Sequence, residues 1–159
     1  FDSDFGKLLA NDSTYAKKIF AIGRGGKKPR KDLTTWADAK SYMGFFYDEY
    51  MDIPVFDEKF NADVIKSVLN KFVACYDASD DSGVWFEKVK AITEEIGFTT
   101  DMKAYKAAPE SFAGTVADVS AMIRVAVTGK TNSPDLYSVM QVLGAERSIA
   151  RIQRAIETL

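Results

Sequence analysis

Apolar side chains recur at three- and four-residue intervals along most of the chain, the spacing of amphipathic helices, and no stretch alternates as a half-buried strand would. The opening residues predict a short helix that stops near Asn11, and Asp12 or Ser13 then caps a second one holding Tyr15, Ile19 and Phe20 and ending at Gly23. Asp32 or Thr34 caps the next, in which Trp36, Ala39, Tyr42, Met43, Phe46, Tyr47 and Tyr50 form an aromatic stripe expected to face the core. Asn61 caps a helix with one continuous apolar face, Val64, Ile65, Val68, Leu69, Phe72, Val73 and Tyr76. Ser82 starts the helix of Trp85, Phe86, Val89, Ile92 and Ile96, closed by Gly97. A short helix is expected from Thr100 to Ala107, and Thr115 with Asp118 makes a capping box for Val116, Val119, Ile123 and Ala126. The stripe Leu136, Val139, Met140 and Leu143 is interrupted by Gly144. The last helix is expected to turn Ile149, Ile152 and Ile156 inward and Arg147, Arg151 and Arg154 to solvent. The pattern predicts an all-α chain of about eight helices. Its acidic turn, Asp77 to Gly83, divides it into two helical subdomains, residues 1–77 and 78–159.

One junction stands out. Gly129 ends the helix that carries Arg124, and after Lys130, Thr131 and Asn132 the chain restarts with Ser133 where an N-cap belongs and Pro134 where the first helical residue belongs. Such a loop lies beside unpaired N–H groups carrying roughly half a positive charge, which suits an anionic or acceptor-rich ligand. As simple punctuation between helices, the same residues would bind nothing.

Composition narrows the chemistry. A chain of 159 residues, 47% hydrophobic, can bury a core. No apolar run approaches the roughly 18 residues of a membrane span, so a cytoplasmic, membrane-free protein is expected. The absence of histidine removes the commonest general base and zinc ligand, and the single cysteine, Cys75, reads as a buried structural thiol. The net charge of −2 conceals a basic segment from Lys17 to Lys31 and an acidic one from Asp48 to Asp63. The basic loop holds Arg24, Lys27, Lys28, Arg30 and Lys31 among glycines, a surface suited either to solvent or to phosphates. It is not a Walker loop, and the acidic turn lacks the glycine and glutamate of a calcium loop.

The segment TGKTNSPDLYSVMQVLGAERSIARI resembles the end of the bacterial glutamyl-tRNA synthetase family, in which a TG, a proline-containing loop, a helix ending in LG and then ER and RI follow in this order. Upstream, WFEKVKAITEEIGF, MKAYKAAPESF and GRGGKKPRKDLTTWADAKSYMGFFYDE resemble the helices that precede it. The resemblance implies an anticodon-binding helical cage that holds the glutamate tRNA. In the family a serine or threonine, proline, any residue, leucine loop and a preceding arginine contact the first anticodon base, which falls here on Ser133, Pro134, Leu136 and Arg124. Arg30 is the candidate for the arginine that contacts the third base; without that residue family members also charge the glutamine tRNA. Unstacked bases suit such a site, since they offer faces to apolar side chains and edges to a hydroxyl, backbone N–H groups and a guanidinium.

The family's adenylate-forming motifs, one containing histidine and one KMSKS-like, are absent, and the KS pairs at Lys40 and Lys66 lie in helical patterns. The resemblance therefore implies an excised, catalytically inert region with no cofactor of its own, serving a parent enzyme that uses ATP, magnesium and glutamate in an N-terminal catalytic domain. Two other readings stand beside it. One is a helix-turn-helix DNA binder reading through Ser138 and Gln141; the other is a protein-interaction module whose basic segment docks on an acidic partner.

Overall fold

The computed structural model describes residues 7, 10–22 and 43–159. Among them lie seven α-helices: α1 (Ser13–Ala21), α2 (Ala62–Cys75), α3 (Ser82–Glu95), α4 (Met102–Ala107), α5 (Val116–Thr128), α6 (Leu136–Leu143) and α7 (Ala145–Thr158). Short 3₁₀ turns occupy Gly44–Phe46, Asp48–Tyr50 and Pro109–Ser111. The described residues contain no strand, only an isolated parallel bridge between Thr99 and Thr115. Lys7, Ala10 and Asn11 are helical. The remainder of the expected opening helix, the basic loop with Arg24, Lys27, Lys28, Arg30 and Lys31, and the positions Trp36, Ala39 and Tyr42 lie outside the described residues.

Helix starts follow local chemistry. Side chains of Asp12, Asn61, Asp81, Asp101 and Asp135 each accept the amide three residues on, which satisfies one otherwise orphaned donor and contributes about 1 kcal/mol apiece. At Thr115 the capping box forms, its N–H donating to Asp118 Oδ2 at 2.8 Å. The stops are equally local: Gly97 and Gly129, at φ +83° and +72°, follow α3 and α5.

Helix α2 packs against α3, α5 and α7, and α6 lies across α7 and α1. The shared core includes Val68, Leu69 and Phe72 of α2, Val89 of α3, Val119 and Ile123 of α5, Met140 of α6 and Ile152 of α7, all essentially without solvent exposure. Burial of a side chain of this size contributes about 1.5 to 3 kcal/mol. No helix among the described residues is long and apolar enough to cross a membrane.

Three expectations need correction. The stripe continuing to Tyr50 is core as expected, with Phe45 and Phe46 fully buried and their rings stacked at 4.5 Å, but it leaves the α-helix at Gly44. The Phe46 carbonyl accepts from the Tyr15 hydroxyl at 2.7 Å and from Arg147 Nη1 at 3.2 Å, so tertiary donors take the place of a helical one. Second, the arginines of α7 are not all turned to solvent. Arg147 faces Tyr15 and Arg151 is 3% exposed, because the buried face runs through Ser148, Arg151, Ile152 and Ala155, leaving Ile149 half-buried. Third, Cys75 is only half-buried; its thiol points at the Phe72 carbonyl, 3.5 Å away, and burial pushes its pKa up.

Candidate nucleic-acid interface

The junction between α5 and α6 is built from the last turn of α5. Thr128, fully buried, donates its hydroxyl to the Arg124 carbonyl at 2.7 Å and accepts the Lys130 N–H at 3.1 Å. Gly129 then reverses the chain in the left-handed region, its N–H closing on the Val125 carbonyl at 2.8 Å. A glycine is required for space as well as for φ, since a Cβ here would sit 2.2 Å from the Asp52 carbonyl oxygen. Lys130 returns to the same neighbour, its Nζ lying 3.1 Å from Asp52 Oδ2. The charge of Lys130, in the loop expected to suit an anionic ligand, is thus matched by a carboxylate.

The restart differs from the expected one. The N-cap is Asp135, not Ser133, and α6 begins at Leu136. Asp135 Oδ2 accepts the Ser138 N–H at 3.1 Å and the Ser138 hydroxyl at 2.8 Å, so a carboxylate already occupies the helix N-terminus where an anion was expected. Pro134 is buried, and Leu136, 3% exposed, belongs to the core rather than to the surface. These two hold the loop from beneath.

Ser133 has another role. It accepts from Arg124 Nε at 3.0 Å and donates to the Pro134 carbonyl at 2.8 Å. That bond fixes the half-buried Arg124 guanidinium by its inner nitrogen, and the two terminal nitrogens have no recorded polar partner among the described residues. Thr131 and Asn132 are exposed beside it, likewise without one. The surface so assembled offers a planar fork of donors, a side-chain amide, a hydroxyl and a turn of backbone, a set that matches the edge of an unpaired base.

Two further features escape a reading of the sequence. The 3₁₀ turn at Asp48–Tyr50 and the segment after it form a strap against the C-terminal end of α5. Arg151 ties it there, donating from Nη1 to the Val127 carbonyl and from Nη2 to Asp48 Oδ1, both at 2.8 Å. The hydrogen bond from Arg151 holds the Asp48 carboxyl below its ordinary range, while burial pulls the Arg151 pKa down. The second feature is α6 itself. Gln141 Nε2 donates to the Ala78 carbonyl at 3.1 Å, the Tyr137 hydroxyl donates to the Asp80 carbonyl at 2.7 Å, and Ser138 is held by Asp135. The side chains that a recognition helix would offer to a DNA groove are therefore engaged within the fold.

Comparison with known proteins gives the family. The chain is 42% identical to the glutamate–tRNA ligase of Sorangium cellulosum over 96% of its own length and 27% of that protein. It is 36% identical to the ligase of Acetivibrio thermocellus, covering 94% of this chain and 28% of the relative, and 31% identical to that of Clostridium perfringens strain 13, covering 96% and 29%. The chain thus spans between a quarter and a third of the length of these relatives. The family model described as "Anticodon binding domain" matches residues 27–156, a segment that takes in the strap, α5, the 129–135 loop and nearly all of α7, and the chain belongs to that family.

Proposed function

We propose that this chain is the tRNA-reading part of a glutamate–tRNA ligase, and that the loop 129–135 with Arg124 meets the first base of the anticodon of the glutamate tRNA. The ATP- and magnesium-dependent joining of glutamate to that tRNA then belongs to the remainder of such a ligase, in the cytoplasm. The observation that carries the reading is the Arg124 guanidinium, anchored through Nε on Ser133 with its terminal nitrogens unengaged among the described residues. A guanidinium held at one edge keeps its fork of donors in one orientation, so fewer degrees of freedom are lost when a base edge arrives. Lys130, Thr131, Asn132 and Ser133 supply the rest of the surface; Pro134 and Leu136 support it from the core side.

The test is a competition between anticodon stem-loops of the glutamate tRNA with the natural first base and with each substitute, read at low and moderate salt. Arg124→Ala is expected to lose about 1 to 3 kcal/mol against the natural base and much less against the substitutes. Equal losses across all bases would remove the base-reading role. Duplex DNA competing as well as the stem-loop would favour the helix-turn-helix reading instead.

A further inference from the structure

The reading loop is held from behind by a closed ring of contacts, and its buried charged member is Arg151. From α7, its guanidinium donates to the Val127 carbonyl at the C-terminal end of α5 and to Asp48 on the strap. Along the strap, Asp52 sets its carbonyl against Gly129 and its carboxylate on Lys130. From Gly129 and Lys130 the ring returns through Thr128 to the last turn of α5, where Thr128 also grips the Arg124 carbonyl. The start of the loop and the backbone that carries Arg124 are thus fixed by the same closure.

We infer that Arg151 is a positioning residue for anticodon recognition: it sets where the 129–133 loop and Arg124 stand, without touching the RNA. The inference rests on the anticodon reading proposed above. At 3% exposure Arg151 cannot present its own charge to a phosphate or base. Its Nε is buried with no hydrogen-bond partner among the described residues, a costly arrangement for a residue that served only to fill space. What the side chain does satisfy is specific: a carbonyl left open by the end of α5 and the carboxylate that anchors the strap. A cation at that helix end also complements the accumulated carbonyl charge. A lysine could supply the charge but not two divergent donors from one plane.

The experiment measures the affinity of the chain for the natural stem-loop and for a first-base substitute, with melting temperature and salt slope, in Arg151→Gln, Arg151→Lys, Asp48→Asn and Arg124→Ala. Arg151→Gln is expected to reduce the ratio of the two affinities about tenfold, with the salt slope unchanged because no phosphate contact is lost. Arg151→Lys should fall between Gln and the natural residue. Asp48→Asn acts at the exposed end of the ring and leaves the core intact; a reduction of about threefold is expected, smaller than that of Arg151→Gln. This variant decides the matter if the Arg151 variants fail to fold. A lower melting temperature with an unchanged ratio in the folded variants would overturn the inference, and so would a salt slope reduced by about one, which would make Arg151 a direct contact. If the ratio collapses in Arg124→Ala and survives in the other variants, only this inference fails. If the unsubstituted chain shows no base preference, the anticodon reading falls with it.

Discussion

Two connections of this molecule, the turn at 77–81 and the loop at 129–135, have similar residues and opposite fates. Both follow a helix, both contain serine, and both end in an aspartate that caps the next helix. In the first, the polar groups are consumed internally. Asp77 accepts from Ser79, Asp80 pairs with Lys88, and the carbonyls of Ala78 and Asp80 accept from Gln141 and Tyr137 of α6. In the second, Thr131 and Asn132, with Arg124 of α5 beside them, leave donors and acceptors without polar partners among the described residues. Polar composition alone does not separate a latch from a loop that fits the proposed role of reader. What separates them is whether the fold has already satisfied the groups, since a satisfied group exchanges one hydrogen bond for another and gains little from a ligand.

The comparison can be broken at several points. The largest effect is expected at Gly129, where alanine would have to occupy the left-handed region with its Cβ 2.2 Å from a backbone oxygen. Gly129→Ala should cost on the order of 3 kcal/mol in urea unfolding and lose base discrimination as well, because the strap and the loop cannot both keep their places. Next comes the latch. Tyr137→Phe removes the donor from the Asp80 carbonyl and should cost about 1 kcal/mol of stability while stem-loop affinity is unchanged. Its converse is Asn132→Ala, which should weaken stem-loop binding and move stability by less than about 0.5 kcal/mol. Should both variants affect both measurements alike, the division into latch and reader is wrong.

Much of this was legible in the sequence where the cause is local. Asn61, Asp12, Thr115 with Asp118, and Gly129 each act on an amide or carbonyl within four residues, so type and spacing suffice to place them. The candidate site was legible in part: the junction, Arg124 and Ser133 come together as expected, but the start of α6 does not fall where Ser133 and Pro134 suggest. Ser-Pro and Asp-Leu both satisfy the rule for a helix start, and the choice fell to Asp135, with Pro134 and Leu136 buried on either side of it. The role of Arg151 was not legible at all. Its partners lie 24 and 103 residues away, and an arginine on the last helix has no local feature that would announce burial. The same holds for the turn at Gly44, whose cause is the distant claim of Tyr15 and Arg147 on one carbonyl.

The smallest expected effect is a pH dependence that divides the two regions. Arg151 holds the Asp48 carboxyl below its ordinary range of about 4 in the folded chain, whereas in the unfolded chain it titrates there. A carboxyl depressed by folding stabilises the native state above its unfolded pKa, and that contribution is lost as pH falls through the folded value. With the Asp48 side chain 66% exposed, solvent screens the pair and the gain should be a few tenths of a kcal/mol. Asp48→Asn should therefore be slightly less stable than the natural chain at pH 7 and should converge with it as the pH falls through the lowered folded-state value of Asp48. The acid dependence left in that variant should include the latch, because the donors of Ser79 lower the Asp77 carboxyl in the same direction. Adding Asp77→Asn should remove a further part of the slope without touching base discrimination, whereas Asp48→Asn alone should reduce discrimination at neutral pH. If discrimination followed Asp77 instead, the strap would not be the element that holds the reading loop.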